Sequence, residues 1–409
     1  MSKPWQRWLA VVVGAALLAA AAAAWLLAER VERRNPQRSG PPALVSWGDE
    51  PVLWVLTRQE EWHHQARTSL RRLRFELHGH DRVTTQRLWS RHLLTVHDSQ
   101  GGDVPGRILG QQGPVVWLFL KDQPVAVSQK DGAVVGDSAR IVERNPGLAP
   151  MWPNELKFFT FDGRLIVTTA DGVHWEVDSQ SLAATGHRPE DPERLERLRF
   201  TSSSWNGTFQ TQDFLTRRMA SHDGRWIGLF SEREAAEAAD DGFGSHFKDP
   251  DSMISEGPEA RRRLMVAKVG KTRAFSEGTH DRLLALTPAT DTPWFLQGAF
   301  LKAAGQRDSF APGADGGGIV VHRNRLDGQG RLVLTRVDPQ LTAGWSRELP
   351  VAELHNRWEL GDRLLLMGSA PVVADGGETR HEWLLSVDLA DGTLTTWNLQ
   401  NPASSTVPR

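Results

Sequence analysis

The chain contains no cysteine and no tyrosine. The first absence excludes disulfides, thiolate nucleophiles, iron–sulfur clusters, Cys-ligated zinc and a lipoprotein anchor, which requires a lipidated Cys. It does not fix the compartment, because large extracytoplasmic domains can be stable without bridges. Net charge is nearly absent as well: 48 Lys+Arg stand against 50 Asp+Glu, a formal charge of -2 in 409 residues. Nucleic-acid binding demands a basic face, so no nucleic-acid partner is expected. The 17 tryptophans supply aromatic area that tyrosine would otherwise share. With 37 glycines, 23 prolines and abundant Val, Leu and Thr, the composition suits short strands joined by tight turns.

Charge is missing altogether from residues 9–28, which read LAVVVGAALLAAAAAAWLLA. As a helix this run rises about 30 Å, the thickness of a bilayer's hydrocarbon core. Trp8 and Trp25 sit near its ends, with Trp5 just outside, where membrane-interface aromatics belong. The expected partner of residues 9–28 is therefore the lipid bilayer. A cleaved signal peptide competes, because Ala19 to Ala24 offer small-x-small cleavage sites, but Trp25, Leu26 and Leu27 carry the apolar run past them. Lys3 and Arg7 precede the run while Arg30, Arg33 and Arg34 follow it, so the positive-inside rule is ambiguous. The N-terminal position resembles a signal-anchor, and a long following domain translocates regardless of such charges. The resulting expectation is a single-pass inner-membrane protein with its C-terminal domain in the periplasm. Residues 1–8 form a short tail, 9–28 the transmembrane anchor, 29–44 a Pro/Gly-rich linker, and 45–409 the main domain.

Within 45–409 a unit recurs: an apolar strand after an Asp-Gly or Gly-Asp turn, a second turn and strand, and often a closing Trp. In 161–186, Asp162-Gly163 makes a turn, Leu165, Ile166 and Val167 a buried strand, and Asp171-Gly172 a hairpin signal. Comparable units lie at 361–399 and 316–349. Trp345-Ser346-Arg347 closes the latter, as Trp89-Ser90-Arg91 closes the first unit. Groups of strands spaced by 40 to 50 residues are expected of propeller blades, so 45–409 would hold about seven or eight. The fold class expected is all-β: an antiparallel β-propeller behind an N-terminal transmembrane helix. A β-sandwich built with the same hairpin chemistry is the alternative. Two helices interrupt the pattern, at 191–198 and at the start of an insertion spanning 231–257, where Ser231 caps SEREAAEAADD.

The segments FDGRLIVTTADGVHWEVDSQSLAATG and AGWSREL resemble blades of quinoprotein-type, PQQ-repeat propellers, whose units end in a D-x-x-T-G turn with a Trp on the outer strand. With the anchor, the resemblance extends to membrane-tethered bacterial proteins of this fold. It implies one of two activities. Quinone-dependent alcohol dehydrogenases of the family carry adjacent cysteines beneath the cofactor, and this chain has none. Other members support outer-membrane protein assembly, binding partner domains on a propeller face without a cofactor.

No catalytic or cofactor motif withstands inspection. Gly270-Lys271-Thr272 has Met265 where a phosphate-binding loop needs its first Gly. His381-Glu382 has Leu385 where a zinc-protease helix needs its second His. Gly136-Asp137-Ser138-Ala139-Arg140 lacks the second Gly of a nucleophile elbow. On an extended strand His78 and His80 share a face and, with Asp81 nearby, form a weak metal candidate; an ordinary propeller turn is the simpler reading. His63 and His64 would point to opposite faces. The expected function is a protein-binding scaffold in the cell envelope with no cofactor. The alternative is a propeller enzyme, a quinone-dependent dehydrogenase or a carbohydrate-active hydrolase, with its site on the central axis.

Overall fold

The computed structural model describes residues 30–47, 50–65, 68–98, 104–189, 215–216, 218–220, 226–240, 261–274, 278–289, 292–302, 317–327, 330–374 and 377–401. The expected membrane segment 9–28 with Trp8 and Trp25, the expected helix 191–198 and the insertion beyond residue 240 lie outside them. No helix among the described residues is long and apolar enough to cross a membrane.

The chain is mostly β, in antiparallel sheets built from strands consecutive in sequence. Sheet I contains β1 (Arg30–Arg33), β2 (Gln37–Arg38), β3 (Ala43–Trp47), β4 (Glu50–Gln65), β5 (Thr68–His80) and β6 (Arg87–Asp98). Here β3 to β6 run up and down, and β1 and β2 also pair with β4. Residues 29–44, expected as a linker, thus carry short strands; Pro36, Pro41 and Pro42 fall between them, where no ladder donor is required. Sheet II is β7 (Gly106–Gln112), β8 (Val115–Leu120), β9 (Gln123–Ser128) and β10 (Val134–Asp137), followed by α1 (Ser138–Arg144). Sheet III is β11 (Phe159–Phe161), β12 (Leu165–Thr168), β13 (His174–Val177) and β14 (Ala184–Gly186).

After β15 (Leu215–Thr216), sheet IV comprises β16 (Arg218–Ala220), β17 (Trp226–Phe230), β18 (Arg261–Ala274) and β19 (Gly278–Pro288). Between β17 and β18 lies α2 (Glu232–Asp240), which opens on the expected Ser231 cap, completed as a capping box: Glu234 N donates to Ser231 Oγ (3.1 Å) and Ser231 N to Glu234 Oε2 (2.7 Å). Sheet V is β20 (Phe295–Leu301), β21 (Gly318–Arg323), β22 (Leu332–Val337) and β23 (Ala343–Glu348). The start of β18 also pairs with β20, which links IV, V and β15 into a nine-stranded sheet. Sheet VI is β24 (Glu353–Leu360), β25 (Arg363–Ala374), β26 (Gly377–Asp388) and β27 (Leu394–Asn398).

The chain divides into two compact units: unit 1 is 1–80 with 87–206, and unit 2 is 81–86 with 207–409. Within each, sheets stack in sequence order, and the middle sheet is apolar on both faces. Along β8, Val116, Leu118 and Leu120 pack with Trp54, Leu56 and Phe75 of sheet I. The alternate residues Val115, Trp117 and Phe119 pack with Phe159, Leu165 and Val167 of sheet III. Sheet V repeats the arrangement: Ile319 and Val321 face Leu364 and Leu366 of sheet VI, whereas Val320 faces Ile227 and Leu264 of sheet IV. A strand side chain alternates between faces, so a strand covered on both reads as a continuous apolar run, as VVWLFL does. Each such fully buried side chain contributes about 1.5–3 kcal/mol.

The connection from third to fourth strand has one geometry in sheets I, II, III, V and VI. The amide of its first residue donates across the turn: Asp81 to Gln86 O, Ser128 to Ala133 O, Asp178 to Ala183 O, Asp338 to Thr342 O and Asp388 to Thr393 O, all at 2.8–3.0 Å. One residue near the end of each turn is left-handed: Thr85, Gly132, Leu182, Leu341 and Gly392. The fourth strand of one sheet grips this turn in the next. Trp89 lies over Gly132 while Arg91 Nε donates to Asp131 O (3.0 Å). Trp345 lies over Gly392 while Arg347 Nε donates to Gly392 O (2.9 Å). Between sheets II and III the sizes are exchanged: Gly136 is on the strand and Leu182 in the turn, 2.9 Å from where a Cβ at 136 would stand. Within unit 2, Thr395 Oγ1 on the fourth strand of sheet VI donates to Val83 O in the 81–86 turn (2.6 Å).

Gly392 and Gly172 provide a test of the grip. Both are left-handed, at φ 73° and 82°, so replacement by Ala costs each about 1–2 kcal/mol. A Cβ at 172 meets nothing within 4 Å, whereas one at 392 stands 2.5 Å from the Trp345 ring. Overpacking adds about 1–3 kcal/mol, so Gly392→Ala should lower the melting temperature distinctly further than Gly172→Ala. Equal shifts would contradict the grip.

Candidate functional site

Sheet I departs from its neighbours in length and chemistry. β4 has 16 residues against 6 in β8, so the β4–β5 hairpin continues past the sheet that covers its proximal half. At 3.3 Å per residue the overhang from Glu60, which lies opposite the core residue Leu73, to Gln65 is about 17 Å. Along one face of β4 the apolar residues Trp54 and Leu56 give way to Arg58, Glu60, Trp62 and His64. Beyond the apolar stack, backbone pairing continues and ion pairs replace packing.

Two glutamates organise this overhang. Glu60, 8% exposed, is paired with Arg71 and receives Arg34 Nη1 at 3.4 Å and Arg58 Nη2 at 4.0 Å. Arg71 in turn lies 5.9 Å over the Trp62 ring, which stacks on His64 at 6.3 Å. On the opposite face Glu61, 6% exposed, meets Arg33 Nε at 3.0 Å, Arg72 Nη1 at 3.8 Å and His63 Nε2 at 3.9 Å. The register explains the clustering, since Arg33 lies opposite Glu61 and Glu61 opposite Arg72. A carboxylate at such depth requires ionic partners, and each glutamate has several. His63 and His64 do occupy opposite faces, as their adjacency in a strand requires.

At the other end of the hairpin His78 and His80 share a face, with ring centroids 6.3 Å apart at 71°. Both are buried, at 6% and 1% exposure. His78 Nε2 is 2.8 Å from Thr57 Oγ1, while its Nδ1 is buried without a hydrogen-bond partner. Burial, then the neighbouring His80 and Arg87, hold its pKa down to about 3. Asp81 is used by its own turn: Oδ1 accepts from Val83 N (2.9 Å), Thr84 N (2.6 Å) and Thr84 Oγ1 (2.9 Å). Its place matches Asp178 and Asp388 at the start of equivalent turns. Among the described residues no group of three His, Asp or Glu is arranged to hold a metal ion. A neutral, buried imidazole beside a hydroxyl orders this end of the sheet, with the hydroxyl able to serve as donor to Nε2.

No protein-family model matches the chain, and no curated protein matches it.

The Glu60 and Glu61 clusters are absent from a motif-based reading. Their signal is distributed over RQEEWHHQ on β4 and RRLR on β5, which acquires meaning only once the two strands are in register. Of the rejected motifs, Gly270 and Lys271 lie in β18 and His381 and Glu382 in β26, while Gly136 to Arg140 pass from β10 into α1.

The depressed pKa of His78 gives a pH prediction. The unfolded chain binds a proton at His78 near pH 6.5, while the folded chain resists it down to about 3, so stability present above 6.5 is lost as pH falls through that window. His78→Gln should flatten the decline of melting temperature between pH 6.5 and 4 relative to the parent. In NMR the His78 ring should not titrate above pH 4; a midpoint near 6.5 would contradict its burial.

Proposed function

We propose that the protein is a membrane-anchored, extracytoplasmic β-propeller that binds protein partners in the cell envelope. Residues 9–28 form the anchor in the inner membrane, and the body is periplasmic. The propeller reading is supported by the strand-to-turn grip between successive sheets, which a radial stack repeats from blade to blade. The Thr395 to Val83 hydrogen bond has the same form, with a fourth strand engaging the turn that precedes β6. Sheets I to VI would be blades of the ring, and the quinoprotein-type resemblance of 161–186 and 343–349 agrees with that assignment.

The observation that carries binding is a pair of projecting ribbons. In sheet VI, β25 and β26 stay paired from Ala370↔His381 to Ala374↔Gly377, past the last pairs made with β24 at Ser369 and with β27 at Trp383. In sheet IV, β18 and β19 run from Val269↔Leu283 to Ala274↔Gly278, past the last pair with β17 at Ala267. No strand among the described residues pairs with the outer edges of these ribbons. Strand edges of this kind recruit extended segments of other proteins by strand addition. Arg380 Nη2 braces the sheet VI ribbon against Glu353 Oε1 (2.7 Å).

Replacing residues 371–380 by Asn-Gly, a two-residue hairpin turn, shortens the ribbon while keeping the Ala370↔His381 pair. The full-length variant should keep its melting temperature and lose proteins that the parent captures reproducibly from envelope extracts. An unchanged set of captured proteins, with both ribbons shortened, would contradict the proposal.

A further inference from the structure

The overhang of sheet I lies next to the apolar segment in sequence, and its exposed charges are mostly those of arginine. We infer that the tip formed by β1 and the distal parts of β4 and β5 rests on the bilayer and binds anionic phospholipid headgroups. The inference builds on the anchor proposed for residues 9–28.

Chain length supplies the first argument. Only Glu29 separates Ala28, the last apolar residue, from Arg30, the first residue of β1. Successive residues span at most about 3.6 Å, so Arg30 stands no more than about 7 Å from the end of the apolar run. Arg30 is paired with His64, one step from the end of the β4–β5 ladder at Gln65↔Thr68. Pairing of β1 with β4 leaves no slack, and a bilayer crossed by 9–28 has the hairpin tip at its headgroups.

Charge placement is the second, independent argument. The acids central to the network are turned inward, with side-chain exposures of 11% for Glu60 and 9% for Glu61. Their arginine partners remain open to solvent: 69% for Arg33, 56% for Arg34 and 41% for Arg72. Glu32, at 61%, is the exposed acid among them. The tip therefore displays guanidinium groups, which match phosphate geometry, around the exposed Leu70. A cation near an anionic lipid surface contributes about 1 kcal/mol, roughly fivefold in partitioning.

The test uses the full-length protein with a photo-crosslinking amino acid in place of Leu70, reconstituted in phosphatidylcholine vesicles with or without phosphatidylglycerol. Leu88, also exposed, provides the control: it is on β6 near Trp89↔Gly79, about 35 Å along the sheet from the tip. In protein that resists carbonate extraction, position 70 should yield lipid adducts well above position 88. Phosphatidylglycerol should be over-represented in them by about fivefold or more. Adducts at 70 no more abundant than at 88, or indifferent to phosphatidylglycerol, overturn the inference and leave the anchor standing. Protein stripped from the vesicles by carbonate overturns the anchor, and the inference with it.

Discussion

The grip of a fourth strand on the turn of the following sheet is the constraint on which this architecture depends. Apolar faces alone hold sheets together without fixing their register, because hydrophobic burial has no direction. A tryptophan seated over a left-handed glycine, with an arginine donating to the same turn's carbonyls, is directional: Trp89 and Arg91 provide it in unit 1, Trp345 and Arg347 in unit 2. The exchange of sizes at Gly136 and Leu182 supports the same conclusion. What is preserved is the fit of one large and one small residue, while the element that carries the large one changes.

Features encoded locally were legible in the sequence. Asp-Gly turns and Trp-Ser-Arg closers identified the ends of units, and SEREAAEAADD identified α2 with its cap. The apolar run Leu165, Ile166 and Val167 marked a buried strand. What escaped depends on partners remote in sequence. The polar stretch from Arg58 to Gln65 carries no apolar alternation, yet it continues β4 because β5 and β1 supply arginines at matching register. Pro36, Pro41 and Pro42 suggested a linker, but a two-residue strand fits between Pro36 and Pro41 and a five-residue strand begins directly after Pro42. Asp81 looked like a companion to His78 and His80. The ordinary turn preferred for it on sequence is the one it starts, as Asp178, Asp338 and Asp388 start theirs.

Sheet I shows how one sheet of a repeating structure acquires its own role. Where sheet II covers it, the sheet is an ordinary apolar layer; beyond that cover, buried glutamates hold outward-facing arginines in place. The ionic overhang adds little to the stack, since the attraction within buried ion pairs is largely offset by the cost of desolvating them. Its position directly after the apolar segment accords with contact at a charged surface. The ribbons of sheets IV and VI likewise extend past the layers that stabilise the fold, and recognition is proposed to reside in those extensions.

The most direct measurement exploits the absence of native cysteine. Full-length protein carrying Val83→Cys and Leu394→Cys, beside the buried Thr395, can be treated with a short bis-maleimide and unfolded for electrophoresis. If the fourth strand of sheet VI engages the 81–86 turn as Trp89 and Trp345 engage theirs, folded protein becomes crosslinked within one chain in high yield, and protein treated in denaturant does not. Folded protein that stays uncrosslinked, while each single cysteine reacts freely, would contradict the grip and the ring proposed from it.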